Sequence, residues 1–239
     1  MNPIIAANWK MHKTGHEVEE FFKELLPHVK GTVWIAPSAT ALRLACDLAS
    51  NSSILIGAQN IYFEPEGAFT GEISASQVAD CGAKFVIIGH SERRRLFGET
   101  DLSIKKKIKA AVGQGLIPLL CIGETLEERK ANKTADVLTR QLTNVLEENF
   151  NGVIAYEPVW AIGTGQSATP EMIEEAHTVC KEILKKLCEK GSHVPLLYGG
   201  SVTPETAPIL SRTKNVDGAL VGGASLGAQS FISIIKGFA

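Results

Sequence analysis

A single carboxylate, Glu157, ends a short apolar run and is followed by a proline and a glycine-tipped loop. Pro158 fixes its own φ and restricts the residue before it, so the carboxylate starts from a defined backbone position. Gly163 and Gly165 tolerate positive φ and let the backbone approach a ligand closely. A positioned base followed by a closing loop suits proton abstraction that is shielded from water. We therefore predict a general base at Glu157, with an ordinary strand-end glutamate as the alternative.

Three further polar residues, Asn8, Lys10 and His90, follow other apolar runs. A fixed ammonium at Lys10 would attract a dianionic substrate and neutralise charge that develops on an enolate. His90 precedes a helical pattern, and a helix N-terminus disfavours an imidazolium, so a neutral imidazole would face substrate oxygens. Taken singly, these residues also fit a solvated lysine and a structural histidine. Combined with Glu157, they predict an enolisation site.

Two glycine pairs, Gly199-Gly200 and Gly222-Gly223, follow the last two apolar runs, and Ser201 comes directly after the first pair. Backbone N–H groups without side chains in the way can form an anion-binding nest. In a barrel of alternating strands and helices, the loops after strands seven and eight are the usual place for a phosphate. The chain has no G-x-x-x-x-G-K-[ST] motif, so we predict a small phosphoester rather than a nucleoside triphosphate.

The elements that must position these residues are short apolar runs that alternate with amphipathic segments along the whole chain. The runs are rich in Val and Ile without polar alternation, which is typical of parallel strands buried on both faces. They are Ile4–Ala7, Val33–Ala36, Ile54–Ala58, Phe85–Gly89, Ile117–Ile122, Val153–Tyr156, Pro195–Tyr198 and Ala219–Val221. Eight such units favour a closed (βα)8 TIM barrel over an open doubly wound sheet, because no G-x-G-x-x-G follows the first run. We predict one α/β barrel domain over residues 1–239.

Capping signals predict where several helices begin and end. Thr14 with Glu17 fits a capping box, and Thr169-Pro170 places a cap before a proline at the first helical position. Thr203-Pro204 repeats this second pattern, and Gly191 is expected to end the helix that starts at Pro170.

Composition excludes several classes of protein. The net charge of −2 argues against a nucleic-acid partner, and no apolar stretch approaches membrane-spanning length. The five cysteines have no CxxC spacing and no leader pattern precedes them, which predicts reduced thiols and a cytoplasmic location. His12 and His16 lack a third ligand, so we expect no metal.

These motifs resemble those of the triosephosphate isomerases, and the resemblance covers the whole chain. The matching segments are Asn8-Trp9-Lys10-Met11, Gln59-Asn60, Gly67 to Glu72, Gly89 to Arg94, Cys121 to Glu124, Glu157 to Gly165, Tyr198 to Val202 and Gly222 to Ser225. The chain departs from many members at Ala7 and His12, and it is somewhat shorter than typical ones. Neither position is catalytic in the family pattern.

The resemblance implies a cofactor-free isomerase that interconverts dihydroxyacetone phosphate and D-glyceraldehyde 3-phosphate in glycolysis and gluconeogenesis. By position, Glu157 is the base and His90 the neutral electrophile. Lys10 and Asn8 stabilise the enediolate and orient the substrate. The phosphate grip consists of the glycines and serine that match the family pattern, namely Gly163, Ser201, Gly222 and Gly223. A glutamate base, a neutral histidine and a closing loop are the known division of labour in this family, so this logic comes from the family as well as from the residues.

Two other classes of function stay open from the residues alone. A sugar-phosphate aldolase on the same barrel would need a Schiff-base lysine on a central strand, and the four central runs contain none. Another phosphate-binding barrel, such as a phosphoribosyl isomerase, is the related alternative. A non-catalytic phosphate-binding barrel would be expected to lack Glu157 or His90, and both are present.

The loop after the third run, residues 59–72, is far longer than the 2–6 residues usual in a βα connection. Its Ile61, Tyr62, Phe63 and Phe69 are too apolar for a solvated loop of that length. Contact with a second subunit would explain both facts, and the resemblance implies a homodimer in which Thr70 reaches the partner's site. The alternative is a loop that folds back onto its own barrel.

Overall fold

The computed structural model describes residues 2–162 and 167–239, and its centre is a closed barrel of eight parallel strands. The strands are β1 Ile4–Asn8, β2 Thr32–Ala36, β3 Leu55–Ala58, β4 Phe85–Ile88, β5 Ile117–Ile122, β6 Val153–Tyr156, β7 Leu196–Tyr198 and β8 Gly218–Val221. They pair in chain order, and β1 closes the barrel against β8. The predicted TIM barrel is confirmed, and each strand lies within a residue or two of its predicted run.

Helices join the strands on the outside of the barrel. Within the described ranges they are α1 Gly15–Leu25, α2 Leu42–Ala49, α3 Ala75–Asp80, α4 Ser91–Phe97, α5 Asp101–Gly113, α6 Leu126–Lys130, α7 Thr134–Val145, α8 Pro170–Leu187, α9 Ala207–Leu210 and α10 Ala228–Gly237. The longer helices turn an apolar stripe towards the strands, as in α7, where Leu138, Leu142 and Val145 are buried.

Two apolar layers explain why the strands carry no polar alternation. Alternate residues of each strand, such as Ile4 and Ala6 of β1, point into the barrel and meet the tilted rings of Trp34 and Phe85, whose centroids are 4.7 Å apart. The residues between them, such as Ile5, pack outward against the helices. Because both faces are buried, polar side chains are left to the strand ends, and this places the chemistry there.

The predicted helix starts at Thr14 and Thr169 are confirmed. The Glu17 carboxylate accepts the backbone N–H of Thr14 at 2.7 Å, and Thr169 Oγ1 accepts the N–H of Met172 at 3.4 Å. These bonds satisfy donors that the first helical turn leaves without partners.

Two other predicted helix boundaries are wrong. The helix after β7 starts at Ala207 and not at Pro204, because Thr203 and Thr206 bond each other in a turn and Thr206 becomes the cap. Helix α8 ends at Leu187, before Gly191, which opens a short 3-10 turn. Gly191 is required there for packing, since a Cβ would lie 1.9 Å from the carbonyl oxygen of Leu184.

Candidate active site

A cavity of about 250 Å³ opens at the carboxyl ends of the strands. It brings together all but one of the predicted site residues: Asn8, Lys10, His90, Glu157, Ser201, Gly222 and Gly223. Ile162 and Leu220 add apolar walls. The remaining predicted residue, Gly163, lies outside the described residues. The volume is just below the range of about 300–1,000 Å³ typical of small-molecule sites, so it suits a ligand of few atoms.

Glu157 is placed by the register of its strand and is only 1% exposed. Its backbone N–H bonds the carbonyl of Ile122, and its Oε2 accepts the backbone N–H of Ser91 at 2.9 Å. Two glycines make room for it. A Cβ at Gly199 would lie 2.9 Å from Cγ of Glu157, and one at Gly123 would lie 1.7 Å from its carbonyl oxygen.

His90 is the N-cap of α4, and this position decides which nitrogen carries a proton. Its Nδ1 accepts the backbone N–H of Glu92 at 3.2 Å, so Nδ1 holds a lone pair and the ring is neutral, with its proton on Nε2. Nε2 lies 3.1 Å from Oε1 of Glu157, at hydrogen-bond distance but without the angle of a hydrogen bond. The sharp turn into α4 depends on Gly89, whose φ of +72° places it in the left-handed region. The neutral imidazole that the helix pattern predicts is therefore consistent with the observed bonding.

Lys10 enters the cavity from β1 on a left-handed backbone, with φ of +52°. Its Nζ donates to Oε1 of Glu92 at 2.6 Å, and Gln59 Nε2 donates to its carbonyl oxygen at 2.9 Å. Its own backbone N–H bonds Oδ1 of Asn8 at 3.0 Å, which links the two predicted residues directly. At Gly222, a Cβ would stand 3.4 Å from Cε of Lys10, so β8 passes close to the ammonium.

Sequence reasoning missed the parts played by Glu92 and Gln59. Burial would raise the pKa of Glu92, but the hydrogen bond and the positive charge of Lys10 lower it below its ordinary value. Glu92 therefore stands as an anion beside the ammonium. Its position two residues after a strand-end histidine was visible in the sequence, but its contact with a lysine 82 residues away depends on barrel closure.

Part of the cavity wall is formed mainly by glycine backbone. Gly199, Gly200, Gly222 and Gly223 all border it, and Ser201 Oγ donates to the carbonyl of Ala161 at 2.9 Å. This bond ties the loop after β7 to the segment that leads out of β6. A wall of glycine backbone offers N–H groups to an anion without side chains in the way.

A second buried carboxylate, Glu124, lies in the loop that follows β5 and was not assigned a role from the sequence. Its Oε1 accepts the hydroxyl of Tyr156 at 3.1 Å and the indole N–H of Trp160 at 3.0 Å. Burial raises the pKa of Glu124 above its ordinary value. Because Val159 and Trp160 follow Glu157 closely in the chain and both bond Glu124, Glu124 anchors the segment after the base.

The fold and this constellation define a barrel enzyme that handles a small phosphorylated substrate by proton transfer. Comparisons with known proteins narrow that class. The family model described as triosephosphate isomerase matches residues 3–238. A triosephosphate isomerase of Bdellovibrio bacteriovorus is 50% identical over 240 residues, covering 98% of this chain and 99% of that protein. One of Geotalea uraniireducens is 46% identical over 245 residues, covering 98% of each.

Solved structures agree. The crystal structure of triosephosphate isomerase from Bartonella henselae superposes with a TM-score of 0.93 at 42% identity, and it covers 100% of this chain and 99% of that one. The chain belongs to the triosephosphate isomerase family.

Within residues 2–162 and 167–239, none of the helices has the length and apolar character needed to cross a membrane. Nor do three or more His, Cys, Asp or Glu side chains within residues 2–162 and 167–239 converge as metal ligands do.

Proposed function

We propose that Glu157 and His90 carry the isomerisation for which this family is named. As a member of the family, the chain is an isomerase that interconverts dihydroxyacetone phosphate and D-glyceraldehyde 3-phosphate. The reaction proceeds through an enediolate. Glu157 takes a proton from C1 of the ketose, and the electron pair of that C–H bond forms the C1–C2 double bond. The carbonyl electrons move to O2.

The remaining proton transfers return the system to its starting charge. His90 donates its Nε2 proton to O2 and recovers a proton from O1, while Glu157 returns its own proton to C2. The aldose forms, and both side chains end in their original states. Neutral imidazole suits this exchange because its acidity is closer to that of an enediol than an imidazolium's would be.

Lys10 and Asn8 stabilise the negative charge that develops on the substrate oxygens. The ammonium of Lys10 neutralises the enediolate and attracts the dianionic phosphate, and Asn8 fixes Lys10 through its backbone N–H. The phosphate lies against Ser201, Gly222 and Gly223, and Gly163 of the closing loop after Glu157 is the further proposed contact. Support comes from the cavity, which has Lys10 next to Gly222.

One observation carries the assignment of the base. Glu157 is buried beside the protonated nitrogen of His90, and backbone N–H groups from the start of α4 hold both side chains. A carboxylate and an imidazole fixed by backbone groups are oriented before substrate arrives, and such preorganisation is what lowers the barrier.

Glu157→Gln tests this assignment because it keeps the shape and removes the base. We expect kcat to fall by at least about 10²-fold with KM little changed. The matched control, Glu182→Gln on the exposed face of α8, should leave both constants as they are. In D₂O the wild type should place deuterium on the carbon next to the carbonyl. Near-wild-type turnover of Glu157→Gln would remove Glu157 from this role.

We also propose a homodimer that forms through the 59–72 loop, in a cytoplasmic enzyme whose residues 1–239 form one domain. A second cavity, of about 430 Å³, adjoins the active site and is bordered by Met11 and Phe97, which are 93% and 65% exposed. Phe69 at the tip of the loop is 40% exposed. Apolar side chains exposed beside a cavity are typical of an interface. Ile61, by contrast, is buried in its own barrel, so docking would involve the exposed part of the loop, residues 64–72.

A further inference from the structure

The segment from Trp9 to Thr14, which joins β1 to α1, contains two lysines in left-handed backbone conformations. Four non-glycine residues in the described ranges have positive φ. Two of them are asparagines, which tolerate this region, whereas Lys10 and Lys13 have φ of +52° and +72° and side chains that do not favour it. For Lys10 this conformation is explained by the active-site cavity, which its side chain borders. Lys13 lies outside the cavity, so its conformation needs another explanation.

The side chain of Lys13 folds back over two aromatic rings. Its Nζ is 5.2 Å from the ring centroid of Trp9 and 4.8 Å from that of Phe21. These two rings meet edge to face with centroids 4.8 Å apart, and Trp9 is fully buried. An ammonium within about 6 Å of a ring face is attracted by the ring's quadrupole. The cation therefore bridges a residue of the segment after β1 and a residue of helix α1.

The helix side of this bridge is held firmly. The Glu17 carboxylate accepts both the N–H and the hydroxyl of Thr14, at 2.7 and 2.8 Å, which fixes the start of α1. Phe22, one residue after Phe21, packs against Trp9 from a second direction at 6.3 Å. Trp9 is thus enclosed by two phenyl rings and one ammonium.

Trp9 lies between the two residues that face the substrate cavity from β1. Asn8 and Lys10 border the cavity, while Trp9 packs in the layer between strands and helices. Trp9 and Lys10 are joined by a rigid peptide bond, so the position of Trp9 constrains the backbone of Lys10. On the other side, the Gln59 amide holds the Lys10 carbonyl.

We propose that Lys13 is a positioning residue for the isomerisation. Its ammonium holds Trp9 against Phe21, and Trp9 holds Lys10 in the left-handed conformation that directs Nζ to Glu92 and Gly222. This inference rests on the role proposed for Lys10. Lys13 acts only through Lys10 and does not touch substrate.

A double-mutant cycle tests the proposal because coupled residues give effects that do not add. Four proteins are compared: wild type, Lys13→Met, Lys10→Met and the double variant, each purified from a host without its own isomerase. Met keeps the apolar stem of Lys13 and removes its charge. We expect Lys13→Met to lower kcat/KM by about 3- to 30-fold in the wild-type background, mainly through kcat. In the Lys10→Met background it should have no further effect.

Two further variants separate positioning from general damage. Lys13→Arg keeps a cation over the rings and should restore most of the activity. Lys23→Met removes an exposed lysine from the adjoining helix α1 and should leave kcat/KM unchanged. The urea midpoint of Lys13→Met should stay close to that of wild type.

Each other outcome overturns a specific part of the proposal. An equal loss from Lys13→Met in both backgrounds would make its role merely structural and overturn the inference alone. No loss in the wild-type background would do the same. Wild-type activity in Lys10→Met would overturn the role proposed for Lys10, and the positioning role of Lys13 with it.

Discussion

Two lysine–carboxylate pairs lie close together in this barrel, and they are built differently. Lys107 and Glu99 are 5% and 6% exposed, and each has a further partner, Asn60 for Lys107 and Arg93 for Glu99. Lys10 and Glu92 are 28% and 35% exposed; Lys10 borders both cavities, and Glu92 borders the second one. We call Lys107–Glu99 the closed pair, because both side chains are buried and bonded to further side chains. We call Lys10–Glu92 the open pair, because its ammonium faces a cavity.

This difference separates a structural ion pair from one that can serve a reaction. Burial lowers the pKa of Lys107, while hydrogen bonds from Lys107 and Arg93 outweigh burial and lower the pKa of Glu99. A substrate could not replace any of these partners without exposing a buried charge. At Lys10, a phosphate or an enediolate can share the ammonium with Glu92, because both side chains are open to the cavities.

The largest effect that we expect comes from Lys10→Met. Loss of a cation at developing negative charge should lower kcat/KM by about 10²–10³-fold and weaken its salt dependence. Stability should change by no more than about 1 kcal/mol, as for a partly exposed pair. Steady-state kinetics at several salt concentrations, together with urea unfolding, measure both quantities. If kcat/KM and its salt dependence are unaltered, Lys10 is an ordinary surface lysine with no role in the reaction.

The matched substitution in the closed pair, Lys107→Met, should show the opposite pattern. It leaves Glu99 buried with only Arg93, so unfolding should become easier by about 3 kcal/mol, the low end for a broken buried pair. The kcat/KM of the folded protein should be nearly unchanged. Adding Glu99→Gln should recover part of the loss. A collapse of kcat/KM with unchanged stability would contradict the comparison.

Assembly offers a third test, because the open pair borders the cavity that adjoins the proposed interface. Phe69→Asp with Thr70→Asp should shift the protein towards monomer and lower activity several-fold by loosening Lys10. Light scattering over a concentration series measures the mass. Leu102→Asp, at an exposed apolar residue of α5, is the control. If the wild type is a monomer at micromolar concentration with full activity, the interface is wrong.

The smallest effect concerns acid. The folded-state pKa of Glu99 is below its ordinary value of 4.5, so the stability it contributes is complete above that value. This stability is lost as pH falls through the folded pKa, by about 1.4 kcal/mol for each unit of displacement. Urea unfolding at several pH values below 6 should show that the free energy of unfolding falls less steeply with decreasing pH for Glu99→Gln than for wild type. Equal slopes would show that Glu99 does not contribute.

The sequence was a good guide to the strands and a weaker one to what holds the site residues. The buried runs were recognisable because both strand faces are covered, so Ile4–Ala7 and its counterparts read as continuous apolar segments. The end of α8 and the start of α9 were misplaced, because Gly191 serves close packing and Thr203 bonds another side chain. Local signals do not distinguish those uses from helix caps.

Within the site, types and strand-end positions predicted which residues gather, and the cavity brings together all of those that the structure describes. Their partners could not be predicted in this way. The bond from Ser91 to Glu157 spans 66 residues and the bond from Gln59 to Lys10 spans 49. Such contacts follow from strand register around a closed ring, which no window of sequence contains.

The pairing of β1 with β8 has a consequence for synthesis of the protein. Lys10 follows the first strand to leave the ribosome, and Gly222, which lies beside it, follows the last. A nascent chain can complete neither the barrel nor the contact between Lys10 and Gly222 until β8 has emerged from the ribosome. Until then, two unpaired strand edges are exposed to other chains. Activity therefore requires a chain that has been synthesised at least through β8, and an interruption of synthesis before that point leaves an open sheet that is prone to aggregate.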